Sequence, residues 1–81
     1  MEFQKNVLFL GMQPNTLSDG KTYYTVSLFV PDIKQTVQVN VMETAKALID
    51  ALMLCQFGDP LNATFALRPK DKLYRLALVS V

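Results

Sequence analysis

The spacing of apolar residues changes twice along the 81-residue chain, and this change restricts the folds open to it. In the first half, Val7 to Leu10 is apolar on both faces, which is typical of a buried strand, and later residues alternate between apolar and polar, which is typical of strands with one buried face. From Met42 to Phe57 apolar residues recur about every 3.6 positions, which indicates an amphipathic helix. After Gly58 the pattern of strands returns. The sequence therefore predicts three strands, one helix and two further strands.

Turn-forming residues separate these elements. Pro14 to Gly20 is predicted to be a hairpin loop, and Pro69 to Lys72 a polar turn. Asn40 or Thr44 is predicted to cap the start of the helix, and Gly58 its end. The alternation is clearest in the third strand, with Val37, Val39 and Val41 on one face and Thr36, Gln38 and Asn40 on the other. The predicted strands are Phe3–Met12, Thr22–Pro31, Thr36–Val41, Leu61–Arg68 and Leu73–Val81.

This order of elements matches the OB-fold, a five-stranded Greek-key barrel whose helix joins strands 3 and 4. A ferredoxin-like fold needs two helices and fits the pattern poorly. We therefore expect a mainly β chain that forms a five-stranded OB-like barrel with one helix between strands 3 and 4. Residues 1–81 are expected to form a single domain, because the chain is too short for two.

The composition argues against catalysis. The chain has no histidine, and its seven carboxylates are scattered through turns and ends. We therefore expect no enzyme activity, no catalytic residue, no metal and no cofactor. The single cysteine, Cys55, lies in the predicted helix and is expected to be a small core residue rather than a nucleophile.

The apolar residues and the single cysteine indicate where the protein is located and whether it forms oligomers. No apolar run approaches the length that spans a membrane, and one thiol cannot form an internal disulfide. We therefore expect a soluble, cytoplasmic protein without a membrane partner. Apolar residues make up 51% of the chain, which leaves a surplus for a subunit interface and predicts a homo-oligomer, in the simplest case a dimer.

Two clusters combine aromatic and basic residues. The first is at the entry to the second strand, where Lys21 precedes Tyr23 and Tyr24. Alternation places Tyr23 on a face with Phe29, and Tyr24 on a face with core valines, so Tyr23 is the better surface candidate. Rings that stack on bases, with amines that meet phosphates, are typical of proteins that bind single-stranded nucleic acid.

The second cluster surrounds the last predicted hairpin. Its members are basic except for one tyrosine: Arg68, Lys70, Lys72, Tyr74 and Arg75. In the OB-fold the loops between strands 1 and 2 and between strands 4 and 5 flank the ligand groove, so both clusters are predicted to face one ligand. Lys34 is expected to extend the basic patch, and Gln38 and Asn40 could hydrogen-bond to bases or sugars.

These residues support two hypotheses. The first is non-enzymatic, largely sequence-independent binding of single-stranded DNA, with DNA and RNA not distinguished by the residues. The second is a protein–protein interaction or assembly module with no nucleic-acid role, which the net charge of only +1 favours.

Two segments also resemble a known family. Residues 20–30, GKTYYTVSLFV, are similar to the second-strand region of small phage and plasmid single-stranded-DNA-binding proteins. Residues 73–79, LYRLALV, are similar to their last strand. The resemblance implies an OB-fold, a dimer, a phage or mobile-element origin, and DNA-binding roles for Lys21, Tyr23 and Arg75.

Overall fold

A computed structural model describes residues 2–70 and 73–81, with the side chains of residues 68–70 and 73–75 left out of the description. The order of elements agrees with the sequence prediction. The elements are β1 (Glu2–Thr16), β2 (Thr22–Val30), β3 (Gln35–Met42), α1 (Lys46–Met53), β4 (Pro60–Lys70) and β5 (Leu73–Ser80).

The strands form one antiparallel sheet in the order β3-β2-β1-β4-β5, so β1 lies at its centre. The first half of β1 pairs with β4, up to Leu8 opposite Pro60, and the second half pairs with β2. A β-bulge interrupts the β1–β2 register between Phe9 and Gly11. We infer that β1 bends, and a bulge is a usual cause of such a bend.

The bend curls the sheet until its two edge strands, β3 and β5, lie beside each other. A cavity of about 320 Å³ lies between them next to α1, and it is lined by Asn40–Met42, Thr44, Ala45, Leu48 and Ala77–Val79. Within the described residues, no backbone ladder joins β3 to β5. The fold is therefore a curled half-barrel with one open seam, and the expected OB-like, mainly β architecture is confirmed.

The core lies inside the curl and follows the predicted alternation. In β2, the side chains of Val26, Leu28 and Val30 are buried, and so are Val39 and Val41 in β3. The four remaining elements, β1, α1, β4 and β5, complete this core with Val7, Phe9, Ile49, Leu52, Ala63, Phe65 and Leu78. Helix α1 contributes two of these side chains and so covers apolar surface that the sheet leaves open.

The helix is shorter than predicted at both ends. At its start, β3 continues to Met42, and at its end, Leu54 and Phe57 are exposed and do not pack on the core. The Glu43 N–H donates to the Thr22 carbonyl at 3.2 Å, which keeps the chain in the sheet beyond Met42. Ala45 is the N-cap, without a side-chain hydrogen bond, so the predicted caps Asn40 and Thr44 are wrong.

Across residues 2–70 and 73–81, no helix has the length and apolar character needed to cross a bilayer.

Gly58 does not cap the helix, although its φ of +88° suits a glycine. The helix ends at Met53, with Leu54 as the C-cap. Gly58 lies in the following turn and donates its N–H to the Phe9 carbonyl at 2.6 Å. Gly58 therefore does adopt a positive φ, but in the turn that leads into β4 and not at the end of the helix.

The loop predicted from Pro14 to Gly20 is wrong in its first part, because β1 includes Pro14 to Thr16. Leu17 donates its N–H to the Lys21 carbonyl at 2.7 Å, and backbone groups alternate sides along a strand. The backbone nitrogen of Pro14 therefore points away from β2. On that side the ladder with β4 ends at Leu8 and the flanking backbone hydrogen bonds end at Phe9, so a proline without an N–H costs no ladder hydrogen bond at position 14.

Truncation of a core leucine tests this packing. Leu28 is fully buried, whereas Leu54 is 84% exposed. We expect Leu28→Ala to lower the free energy of unfolding by about 2–5 kcal/mol, because it leaves a cavity. Leu54→Ala, the same chemical change, should alter it by less than about 0.5 kcal/mol. Urea denaturation of both variants measures the difference, and equal effects would contradict the described core.

Candidate functional site

The most distinctive surface is formed by β2, β3 and the part of β1 that pairs with β2, on the side that faces away from the core. It is here called the outer face. Residues directly opposite each other in a ladder point to the same side, so the register defines its members. They are Leu8, Gly11, Gln13, Asn15, Tyr23, Thr25, Ser27, Phe29, Thr36, Gln38, Asn40 and Met42. None of them is charged, and most carry an amide or a hydroxyl group.

A hydrogen-bonded chain crosses the outer face from β1 to β3. Asn15 Nδ2 donates to Thr25 Oγ1 at 2.9 Å, and Thr25 Oγ1 donates to Asn40 Oδ1 at 3.2 Å. Because Oδ1 of Asn40 is the acceptor, its Nδ2 donors are left for other partners. The amides are therefore held in a defined orientation on an otherwise exposed surface.

A shallow depression lies beside this chain of hydrogen bonds. Its volume is about 380 Å³. The lining residues are Gly11, Met12, Gln13, Thr25, Ser27 and Gln38. Gly11 and Ser27 lie opposite each other in the ladder, and their small size leaves this space open.

Two aromatic side chains lie at the ends of the β2 row on this face. Tyr23 and Phe29 are both half-buried. Tyr24 points the other way and packs against the core cluster, so the predicted assignment of the two tyrosines to opposite faces is confirmed. Tyr23, Thr25, Ser27 and Phe29 therefore present a ring, two hydroxyls and a ring along a single strand.

Two of the predicted basic residues lie in the turns next to the outer face, and both are exposed. Lys21 follows the β1–β2 turn, which is held by its own N–H donating to Asp19 Oδ1 at 3.0 Å. Lys34 ends the β2–β3 turn with a φ of 52°, a left-handed conformation that is unusual for a residue other than glycine. Lys5 donates to Asp32 at 3.0 Å, so part of its charge is compensated.

The second predicted cluster is only partly described. Lys72 lies outside the described residues. Arg68, Lys70, Tyr74 and Arg75 belong to β4 and β5, and the register pairs Arg68 with Arg75, but their side chains lie outside the description. The β1–β2 turn follows the last residue of β1, whereas the last residues of β4 lie beyond the first residues of β1. The convergence of both clusters on one ligand therefore stays a prediction.

Other chemistry-bearing groups do not add to this site. Burial, and secondarily the nearby carboxylate of Asp59, raises the pKa of the Cys55 thiol, which keeps it in its less nucleophilic form. Cys55 lies after the helix rather than in it, and its thiol donates to the Ala51 carbonyl at 3.4 Å. In the part of the chain that the structure describes, no three metal-ligating side chains cluster together.

Sequence reasoning identified part of the outer face and missed the rest. It proposed Gln38 and Asn40 for hydrogen bonding, and both are on this face. It missed Gln13 and Asn15, because the strand was expected to end at Met12. The alternation of polar residues at positions 13 and 15 was the available signal.

No protein-family model, curated protein or solved structure matches the chain.

The backbone of Lys34 provides a direct test of how its turn is built. A residue with a Cβ costs roughly 1–2 kcal/mol in the left-handed region, so Lys34→Gly should stabilise the protein by a few tenths to about 1 kcal/mol after the added flexibility of the unfolded chain. Lys34→Ala keeps the Cβ and should give no such gain. Thermal unfolding of the two variants measures this, and equal stability would contradict a left-handed Lys34.

Proposed function

We propose that the protein binds single-stranded DNA on the outer face, without catalysis and largely without sequence preference. The observation that carries this proposal is the arrangement on β2 and its neighbours: two half-buried rings, with hydrogen-bonding groups and an open depression between them. The OB-like fold supports it, because that fold presents its ligands on the face of strands 2 and 3.

Stacking would supply much of the affinity. Each base that stacks on an aromatic side chain contributes about 1–3 kcal/mol, whatever the base. Tyr23 and Phe29 are six residues apart on β2, a separation of roughly 20 Å in a strand. A strand of nucleic acid along β2 would therefore meet a ring at each end, and amide and hydroxyl groups between them.

Electrostatic attraction would add a smaller share. Lys21 and Lys34 are exposed in turns beside the outer face, whereas the face itself has no charged side chain. The net charge of the chain is only +1. For single strands, the logarithm of affinity falls by about 0.7 per neutralised phosphate for each tenfold rise in salt, so a few lysines predict a shallow dependence on salt. Arg68, Lys70, Lys72, Tyr74 and Arg75 extend this patch in the proposal.

A fluorescent oligo-dT tests this function. We expect anisotropy to rise at low salt with micromolar protein, and Tyr23→Ala to weaken binding about 5- to 150-fold through loss of one stacked base. Phe57→Ala is the matched control, because Phe57 is an aromatic residue that is 80% exposed and lies outside the outer face. Equal affinity of the two variants, or no binding by the wild type at tens of micromolar, would refute the proposal.

One observation favours the second candidate function, an assembly module. Three large apolar side chains are exposed at and just after the end of α1: Met53, Leu54 and Phe57 are 56%, 84% and 80% exposed. No charged residue interrupts the segment from Met53 to Phe57. An apolar patch is complementary to itself across a twofold axis, so the partner in this proposal is a second copy of the chain.

Sedimentation velocity tests this assembly. A dimer that forms through the segment should dissociate in Leu54→Glu, because the charge would be buried in the interface. Lys46→Glu, a change on an exposed position of the same helix, should leave the dimer intact. A wild type that stays monomeric at high micromolar concentration would exclude the assembly module.

A further inference from the structure

Gly11 lies on the outer face, next to the bulge of β1. Its φ is not in the left-handed region, unlike that of Gly20 and Gly58. A Cβ added at Gly11 would have no atom within 4 Å, other than those of its two chain neighbours. Neither backbone conformation nor packing therefore requires a glycine there.

A glycine inside a strand is otherwise unfavourable, since it loses more conformational freedom on folding and has no side chain to pack. Such a position often marks a bulge or a place where a ligand approaches the backbone closely, and Gly11 adjoins the bulge of β1. At Gly11, the space that a side chain would fill is part of the depression of about 380 Å³. The missing side chain thus keeps an exposed space open.

The groups around this space indicate what it can hold. Gln13 and Gln38 offer amide donors and acceptors, and Ser27, directly opposite Gly11, offers a hydroxyl. No lining residue is charged, so the depression has no group to neutralise a phosphate. An uncharged planar ring with donors and acceptors on its edges matches this lining, and carboxamides are side chains that read such edges.

We propose that the depression over Gly11 is a subsite for one nucleobase of the bound strand. The bare backbone of Gly11 forms its floor, and Gln13 and Gln38 meet the edges of the base. This inference rests on the proposed function and goes beyond it, because it fixes which part of the nucleotide faces the sheet. The phosphates would then lie outside, toward the exposed lysines of the turns.

Filling the depression tests the subsite. We expect Gly11→Leu to weaken binding of oligo-dT by roughly 5- to 150-fold, the contribution of one bound base. An oligonucleotide of the same length made of abasic units should bind the variant and the wild type equally, because it has phosphates but no bases. Ala47→Leu places the same side chain at an exposed position of α1, which packs on the core side of the sheet, and should not change the affinity for oligo-dT.

Stability separates this subsite from a purely structural role of the glycine. Gly11→Ala should unfold at the same or a higher temperature than the wild type, because nothing lies near the added Cβ. Loss of the fold in Gly11→Ala would show that the bend of β1 needs the glycine and would overturn the subsite. Unchanged binding by a folded Gly11→Leu would overturn the subsite but leave DNA binding intact. No binding by the wild type would overturn both.

Discussion

The bend of β1 is the constraint on which the rest of the structure depends. Its first half pairs with β4 and its second half with β2, so one strand belongs to both sides of the curl. The bulge between Phe9 and Gly11 lies where this change of partner occurs. Bulges increase the local twist and bend of a strand, and here the bend brings β3 and β5 together. A straight β1 would leave the apolar faces of β2 and β3 exposed to water.

The same alternation that fills the core also produces the outer face. Val26, Leu28 and Val30 point inward, and as a result the residues between them point outward. A slip of one residue in the β2 register would bury Ser27 and expose its apolar neighbours, so burial fixes which side chains a ligand can reach. Selection for a stable core and the geometry of the proposed site are therefore linked through the strand period.

How much the sequence predicts depends on how local each determinant is. The order of elements follows from the change between strand and helix periods, and the faces of β2 and β3 follow from alternation; both predictions were confirmed. The position of Pro14 and the role of Gly58 depend on distant partners: an unpaired edge of β1 in one case and the Phe9 carbonyl in the other. Periodicity also extended the helix to Phe57, because apolar residues recur there with no core left to cover. No local sequence pattern shows these distant partners or where the core ends.

The small net charge bears differently on binding once the outer face is defined. In the sequence, a charge of +1 argued against a nucleic-acid ligand, because phosphate contacts usually dominate affinity. That argument applies when phosphates face the protein. A strand whose bases lie on an uncharged face of rings, amides and hydroxyls draws its affinity from stacking and hydrogen bonds. In that arrangement only the cations at the rim meet phosphates, so their placement in the turns matters more than the sum of charges over the chain.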